Sequence, residues 1–159
     1  RGFSLKSYSN LQTKKSTTMH ENVVIKQRVN APVEKVWNAL TDKAQMKEWY
    51  FDIPDFELGL HNEFNFYESG GANKYHHQGE VLEVIPNEKL KHSWSYPEIS
   101  KERTIVKWEL ENFGDGTEIT LTHKGLENLH HLGEDFQMES FEKGWLGIVG
   151  HRLKEFVEK

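Results

Sequence analysis

"ERTIVKWELENFGDGTEITLTHK", residues 102–124, sets two runs of alternating character on either side of a Gly-Asp-Gly turn. In an extended chain successive side chains point to opposite faces. Lys107 and Glu109 mark the solvent face of the first run, which leaves Thr104, Val106, Trp108 and Leu110 on the inner face. In the second run the inner set is Ile119, Leu121 and His123. A short glycine-rich turn between two such runs predicts an antiparallel hairpin.

The same grammar extends upstream. "DFEL" (55–58), "NEFNFYES" (62–69), "YHHQGEVLEVI" (75–85) and "KLKHSWSYP" (89–97) are separated by the turn-forming "GLH", "GGAN" and "PNE". Together with the hairpin they give six strands in series, and the β-branched "ENVVIKQRV" (21–29) adds one before them, about seven in all. Between that first strand and the series lie two short helices. "NAPVEKVWNALTD" (30–42) carries Asn30 as a plausible cap, Pro32 in the first turn and a stripe of Val33, Val36, Trp37 and Leu40; "KAQMKEWY" (43–50) follows and is stopped by "FDIPD" (51–55). A long amphipathic helix from about residue 133 or 134 to Val157 closes the chain. Strands in series with the helices segregated predict an α+β fold, an antiparallel sheet covered on one face.

Alternation assigns the inner face of the other strands. It holds Leu90, His92, Trp94 and Tyr96, with Phe64 and Phe66; Leu82 and Val84 are expected inward, with His76, Gln78 and Glu80 in the same phase. On a helical wheel Met138, Phe141, Trp145, Ile148, Val149, Leu153 and Phe156 form the apolar stripe, Arg152 falls within it, and Gly144, Gly147 and Gly150 fall away from it. Large aromatics interleaved with His and Thr have two readings. They wall an amphipathic pocket, or they fill a solid core whose polar atoms find partners within it.

Composition narrows the function. The 159 residues carry a formal charge of −5, with no basic surplus to neutralise a phosphate backbone, so nucleic acid is not an expected partner. There is no cysteine for a disulfide or thiolate metal site, and no apolar run approaches the roughly 20 residues of a membrane span. A cytoplasmic location without membrane insertion is expected. Residues 1–18, with Arg1, Lys6, Lys14 and Lys15 and no acid, read as a disordered leader, tag or non-native extension; their removal takes the charge from −5 to −9 and leaves one domain over 19–159. His76 and His77 are adjacent in a strand and His130 and His131 are adjacent near a turn, so neither pair chelates one ion by spacing alone. No nucleophile elbow, phosphate-binding loop or zinc-protease motif is present. Glu80, His92, Tyr96 and His123 are the groups from which an acid–base site could be assembled.

Several strings occurring together, "PVEKVWNALTD", "MKEWY", "GEVLEVIPNEKLKHSWSYPE", "WELENFGDGTEITLTHKGL" and "ESFEKGWLGIVGHRLKEFVE", resemble the activator of heat-shock protein 90 ATPase homologue family of the START-related, Bet v I-like superfamily. The resemblance covers about residues 21–159. It implies the helix-grip fold, a curved antiparallel sheet around the C-terminal helix with a hydrophobic cavity between them. The family's recurrent residues, here Trp37, Trp49, Gly79, Pro86, Leu90, Trp94 and the Gly144-Trp145 pair, look architectural. On this reading the partner is a hydrophobic or aromatic small molecule, with no cofactor and no metal. It would be held by Phe64, Phe66, His92, Trp94, Tyr96, Trp108, His123, Phe141, Trp145 and Arg152. The alternatives are a cyclase- or dehydratase-type enzyme using the same cavity, or a chaperone-associated stress-response protein acting through its surface; in each case a monomer or homodimer is expected.

Overall fold

Strand β1 (Val23–Val29) is the first element of the computed structural model, which describes residues 22–68 and 74–159. The leader expected over 1–18 lies outside the described residues. Helices α1 (Val33–Thr41) and α2 (Lys43–Trp49) come next, followed by β2 (Glu63–Tyr67), β3 (His76–Ile85), β4 (Lys89–Ser95), β5 (Arg103–Phe113) and β6 (Gly116–Lys124). Two 3₁₀ turns, Leu126–Leu132 and Glu134–Phe136, lead to the C-terminal helix. That helix is α3 (Met138–Gly147), a π-helical turn (Ile148–Leu153) and α4 (Lys154–Val157). Among the described residues the strands form one six-stranded antiparallel sheet in the order β1-β6-β5-β4-β3-β2. This is the expected α+β, helix-grip arrangement with one strand fewer.

The missing strand is Asp55–Leu58. Its four residues are too short a run to pair, and the segment is tied down side-on instead: both carboxylate oxygens of Asp55 accept hydrogen bonds from Asn65, one from the backbone N–H at 3.0 Å and one from the side-chain amide at 2.9 Å. Phe56 turns inward against Phe64, 5.3 Å between centroids. Asn30 is not a cap either. The carbonyl of Pro32 takes the first bonds of α1, from the N–H groups of Lys35 and Val36, while the N–H of Asn30 donates to Glu158 at 2.8 Å and holds the end of the C-terminal helix.

The faces of β4, β5 and β6 follow the alternation. One transverse row runs Val23, His123, Val106, His92 and Val81 across five strands, so both histidines enter the interior from the same face. Strand β3 departs from it. A register shift between Val81 and Glu83 changes its phase: His77, Gly79 and Val81 are buried before the bulge and Val84 packs inward after it. His76, Gln78 and Glu80 therefore lie on the outer face, contrary to expectation, because one extra residue flips every side chain beyond it.

The C-terminal helix buries Phe141, Trp145, Val149, Leu153 and Val157, each four residues after the last. In an unbroken α-helix a four-residue step drifts about 40° around the axis, enough to carry the last of these off the sheet. The π turn takes more residues per revolution and offsets much of the drift. It also rotates Arg152 out of the stripe, so that Arg152 is exposed and Val157 takes the inner position. Gly144 and Gly147 face outward as the wheel predicts, with nothing within 4 Å of the position a side chain would occupy.

Candidate functional site

Of the ten residues expected to hold a ligand, nine are buried: Phe64, Phe66, His92, Trp94, Tyr96, Trp108, His123, Phe141 and Trp145. They occupy the sheet-to-helix space themselves. Trp94 packs on Trp145 at 5.2 Å, on Phe66 at 5.5 Å and on His123 at 5.5 Å; Trp108 meets Trp145 edge-on at 5.6 Å; Phe141 meets His123 at 5.3 Å. These are ordinary aromatic packing distances, so the side chains expected to line a cavity contact one another.

The polar atoms among them are nearly all satisfied internally. The indole N–H of Trp145 donates to Nδ1 of His123 at 3.0 Å; because that N–H can only donate, the proton of His123 sits on Nε2 and donates to Oγ1 of Thr104 at 2.7 Å. The Thr104 hydroxyl in turn donates to the carbonyl of Trp94 at 2.8 Å. Trp94 donates to the Tyr96 hydroxyl at 2.9 Å, and Trp49 to the carbonyl of Ala39 at 2.9 Å. Nδ1 of His92 donates to the carbonyl of Ser93 at 2.9 Å, which leaves Nε2 as an acceptor; Trp108 donates to it at a longer 3.3 Å. His77 donates from Nδ1 to the carbonyl of Tyr75.

Burial holds all three imidazoles neutral. It lowers the pKa of His77 and of His92 to about 4, and that of His123 to about 3, the last with added repulsion from His92. Burial likewise raises the hydroxyls of Tyr50 and Tyr96 far above the ordinary phenol value. Glu80 takes no part. It stands on the outer face, bonded to Arg103 at 2.8 Å and His61 at 2.9 Å, and these two partners lower its pKa. An acid–base site built from Glu80, His92, Tyr96 and His123 thus loses its carboxylate. Among the described residues no group of three or more His, Asp or Glu is placed to hold a metal ion.

Open space lies to one side of the predicted set, around residues the sequence treated as a helix end and a turn. A void of about 10 Å³, the size of one small polar group, lies between the sheet and α2 and is lined by Phe64, His92 and Trp108 with Met46, Trp49 and Tyr50. A groove of about 640 Å³ opens outside it, floored by Tyr50, Phe51, Pro54, Phe66 and Tyr67 and rimmed by Lys47, Asp52, Asn65, Glu68 and His76. A second groove, of about 400 Å³, carries Arg152 with Trp49, Tyr50, Glu155 and Phe156. Tyr50 is common to all three. Its ring stacks on Trp49 at 4.9 Å and lies edge-on to Trp108 at 6.1 Å, forming the partition between void and groove. Nothing periodic marked Tyr50 or Phe51, because they follow the last turn of a seven-residue helix.

No curated protein matches the chain. Solved structures match in fold: CalU16 from Micromonospora echinospora at 27% identity and TM-score 0.61, over 86% of this chain and 73% of that one; and the Aha1 dimer from Colwellia psychrerythraea at 24% and 0.67, over 86% and 96%. DynU16, from the dynemicin biosynthetic locus, matches at 24% and 0.72 over 87% of this chain, which spans only 48% of the length of DynU16. The sequence profile of the activator of Hsp90 ATPase homolog 1-like proteins matches residues 30–158, and the chain belongs to that family.

Proposed function

We propose that this domain, 19–159 of a cytoplasmic protein, binds a small apolar or aromatic molecule between the sheet and α2, admitted by outward rotation of Tyr50. The observation that carries this reading is that the Tyr50 ring lines both the small void beside His92 and the wide groove outside. Swinging it out would merge the two into one amphipathic pocket. Exposing such a ring costs about 1.5–3 kcal/mol of lost burial, which a ligand ring taking its place would restore. Phe64, His92 and Trp108 would then touch the ligand and Phe66 would line its outer part, while Trp94, Tyr96, His123, Phe141 and Trp145 would form the rigid wall behind them. Arg152 would serve the neighbouring groove.

Calorimetry and thermal unfolding with uncharged bicyclic aromatics, a sterol and a fatty acid test the reading. Saturable binding of at least one apolar probe, strengthened in Tyr50→Ala, is expected. Absence of binding in both proteins refutes it. A second reading, action through a surface as a homodimer, is favoured by Leu146, which is 49% exposed between the open positions of Gly144 and Gly147. A monomeric mass by light scattering at high protein concentration would eliminate it.

A further inference from the structure

The interior also specifies the chemistry of its ligand. Among the described residues the buried polar groups are those of His, Ser, Thr, Tyr and Trp, with no carboxylate, ammonium or guanidinium. A charged ligand group placed beside His92 would be desolvated without a counter-charge, at a cost of several kcal/mol. The hydrogen bonds then single out one position. His123 has both nitrogens engaged, at 3.0 and 2.7 Å, and His77 is not part of the void's lining. His92 does line it, with its tautomer fixed by the Ser93 carbonyl and Nε2 turned toward Trp108.

The Trp108–His92 bond, 3.3 Å, is the longest of four indole bonds among the described residues; the others are 2.9, 2.9 and 3.0 Å. It is longer than the 3.0 Å bond from Trp145 to His123, which is of the same N–H···N kind, so it is the weaker of the two indole–imidazole closures. Trp108 can only donate and neutral His92 Nε2 can only accept. A group that both donates and accepts can therefore stand between them and make two good bonds in place of one long bond. Both side chains line the void of about 10 Å³, so the space that such a group would enter borders on this bond.

Resting on the binding reading above, we propose that the ligand is an uncharged alcohol or phenol whose hydroxyl inserts between Trp108 and His92, donating to His92 Nε2 and accepting from Trp108 Nε1–H. A ketone or ether can accept from Trp108 but leaves His92 Nε2 unsatisfied, and a carboxylate faces that lone pair with a charge. The rest of the molecule extends past Tyr50 into the groove.

The test uses the full chain near neutral pH with four probes of one skeleton: naphthalene, 2-methoxynaphthalene, 2-naphthol and 2-naphthoate. Calorimetry is expected to find 2-naphthol bound roughly tenfold or more tighter than the methoxy compound, the equivalent of one net hydrogen bond, and 2-naphthoate not bound. In ¹H–¹⁵N spectra the indole N–H of Trp108 should shift on binding while those of Trp94 and Trp145 hold still. His92→Phe should abolish the preference for the hydroxyl; if that variant does not fold, the Trp108 shift in the unsubstituted protein decides. Equal affinity for the hydroxyl and methoxy compounds, or naphthoate binding as well as naphthol, overturns the hydroxyl inference and leaves apolar binding standing. Binding of none of the four overturns both.

Discussion

Acidification should unfold this protein well above the range in which its carboxylates titrate. His77, His92 and His123 are held neutral with pKa values of about 4, 4 and 3, whereas an unfolded chain titrates its histidines near 6.5. Because the unfolded state binds more protons, stability rises with pH through this window. It is complete above the unfolded value, falls as pH drops below about 6.5, and stops falling once the folded values are passed. Each residue costs about 1.4 kcal/mol per pH unit, so at about pH 5 the loss is about 2 kcal/mol apiece and about 6 kcal/mol for the three. That is comparable to the whole stability of many domains. Carboxylates with lowered pKa, such as Glu80 and Glu158, lose their contribution only below their unfolded values and leave the window to the histidines. Urea unfolding followed by tryptophan fluorescence at a series of pH values measures the effect. At a slope near 2 kcal/mol/M the midpoint should fall by about 3 M between pH 7.5 and 5. A midpoint that stays constant over that interval would refute the neutral, buried imidazoles.

Three substitutions probe the packing. Thr104→Val leaves the Nε2–H of His123 and the Trp94 carbonyl without their shared partner and should cost about 1–3 kcal/mol, read by chemical denaturation. Gly147→Ala should raise stability by about 0.5–1 kcal/mol, since its backbone is helical and nothing stands within 4 Å; a loss would reveal a contact on the outer face. Gly79→Ala should be severely destabilising, because a Cβ there would meet the Phe64 ring and stand 2.8 Å from the Ser93 carbonyl; circular dichroism and thermal melts would register it.

The hairpin at 102–124 was legible because its two strands alternate without interruption and meet at a glycine turn, and the same holds for β4. The phase of β3 was not legible: a bulge leaves no mark in composition, and Glu83 on the outer face after it suggested the wrong parity for the residues before it. Arg152 was misplaced for a related reason. The wheel assumes one angle per residue, and the π turn changes that angle where the last two turns of the stripe are decided. The aromatic composition of the interior was apparent, but whether it encloses space depends on rotamers: Trp94 and Trp145 pack against each other, and both of them and Phe141 pack against His123. The partition at Tyr50 could not be found from periodicity, since "FDIPD" carries turn chemistry and its buried residues, Phe51 and Ile53, are fixed only by the tertiary fold.

In the proposed binding mode a ligand enters between sheet and α2 by displacing Tyr50. Intermolecular nuclear Overhauser effects between bound 2-naphthol and the protein test it most directly. Contacts from the naphthol protons to Phe64, Trp108 and Tyr50, with none to Phe141, are predicted. Contacts to Phe141 and Trp145 instead would place the ligand against the C-terminal helix and contradict the account.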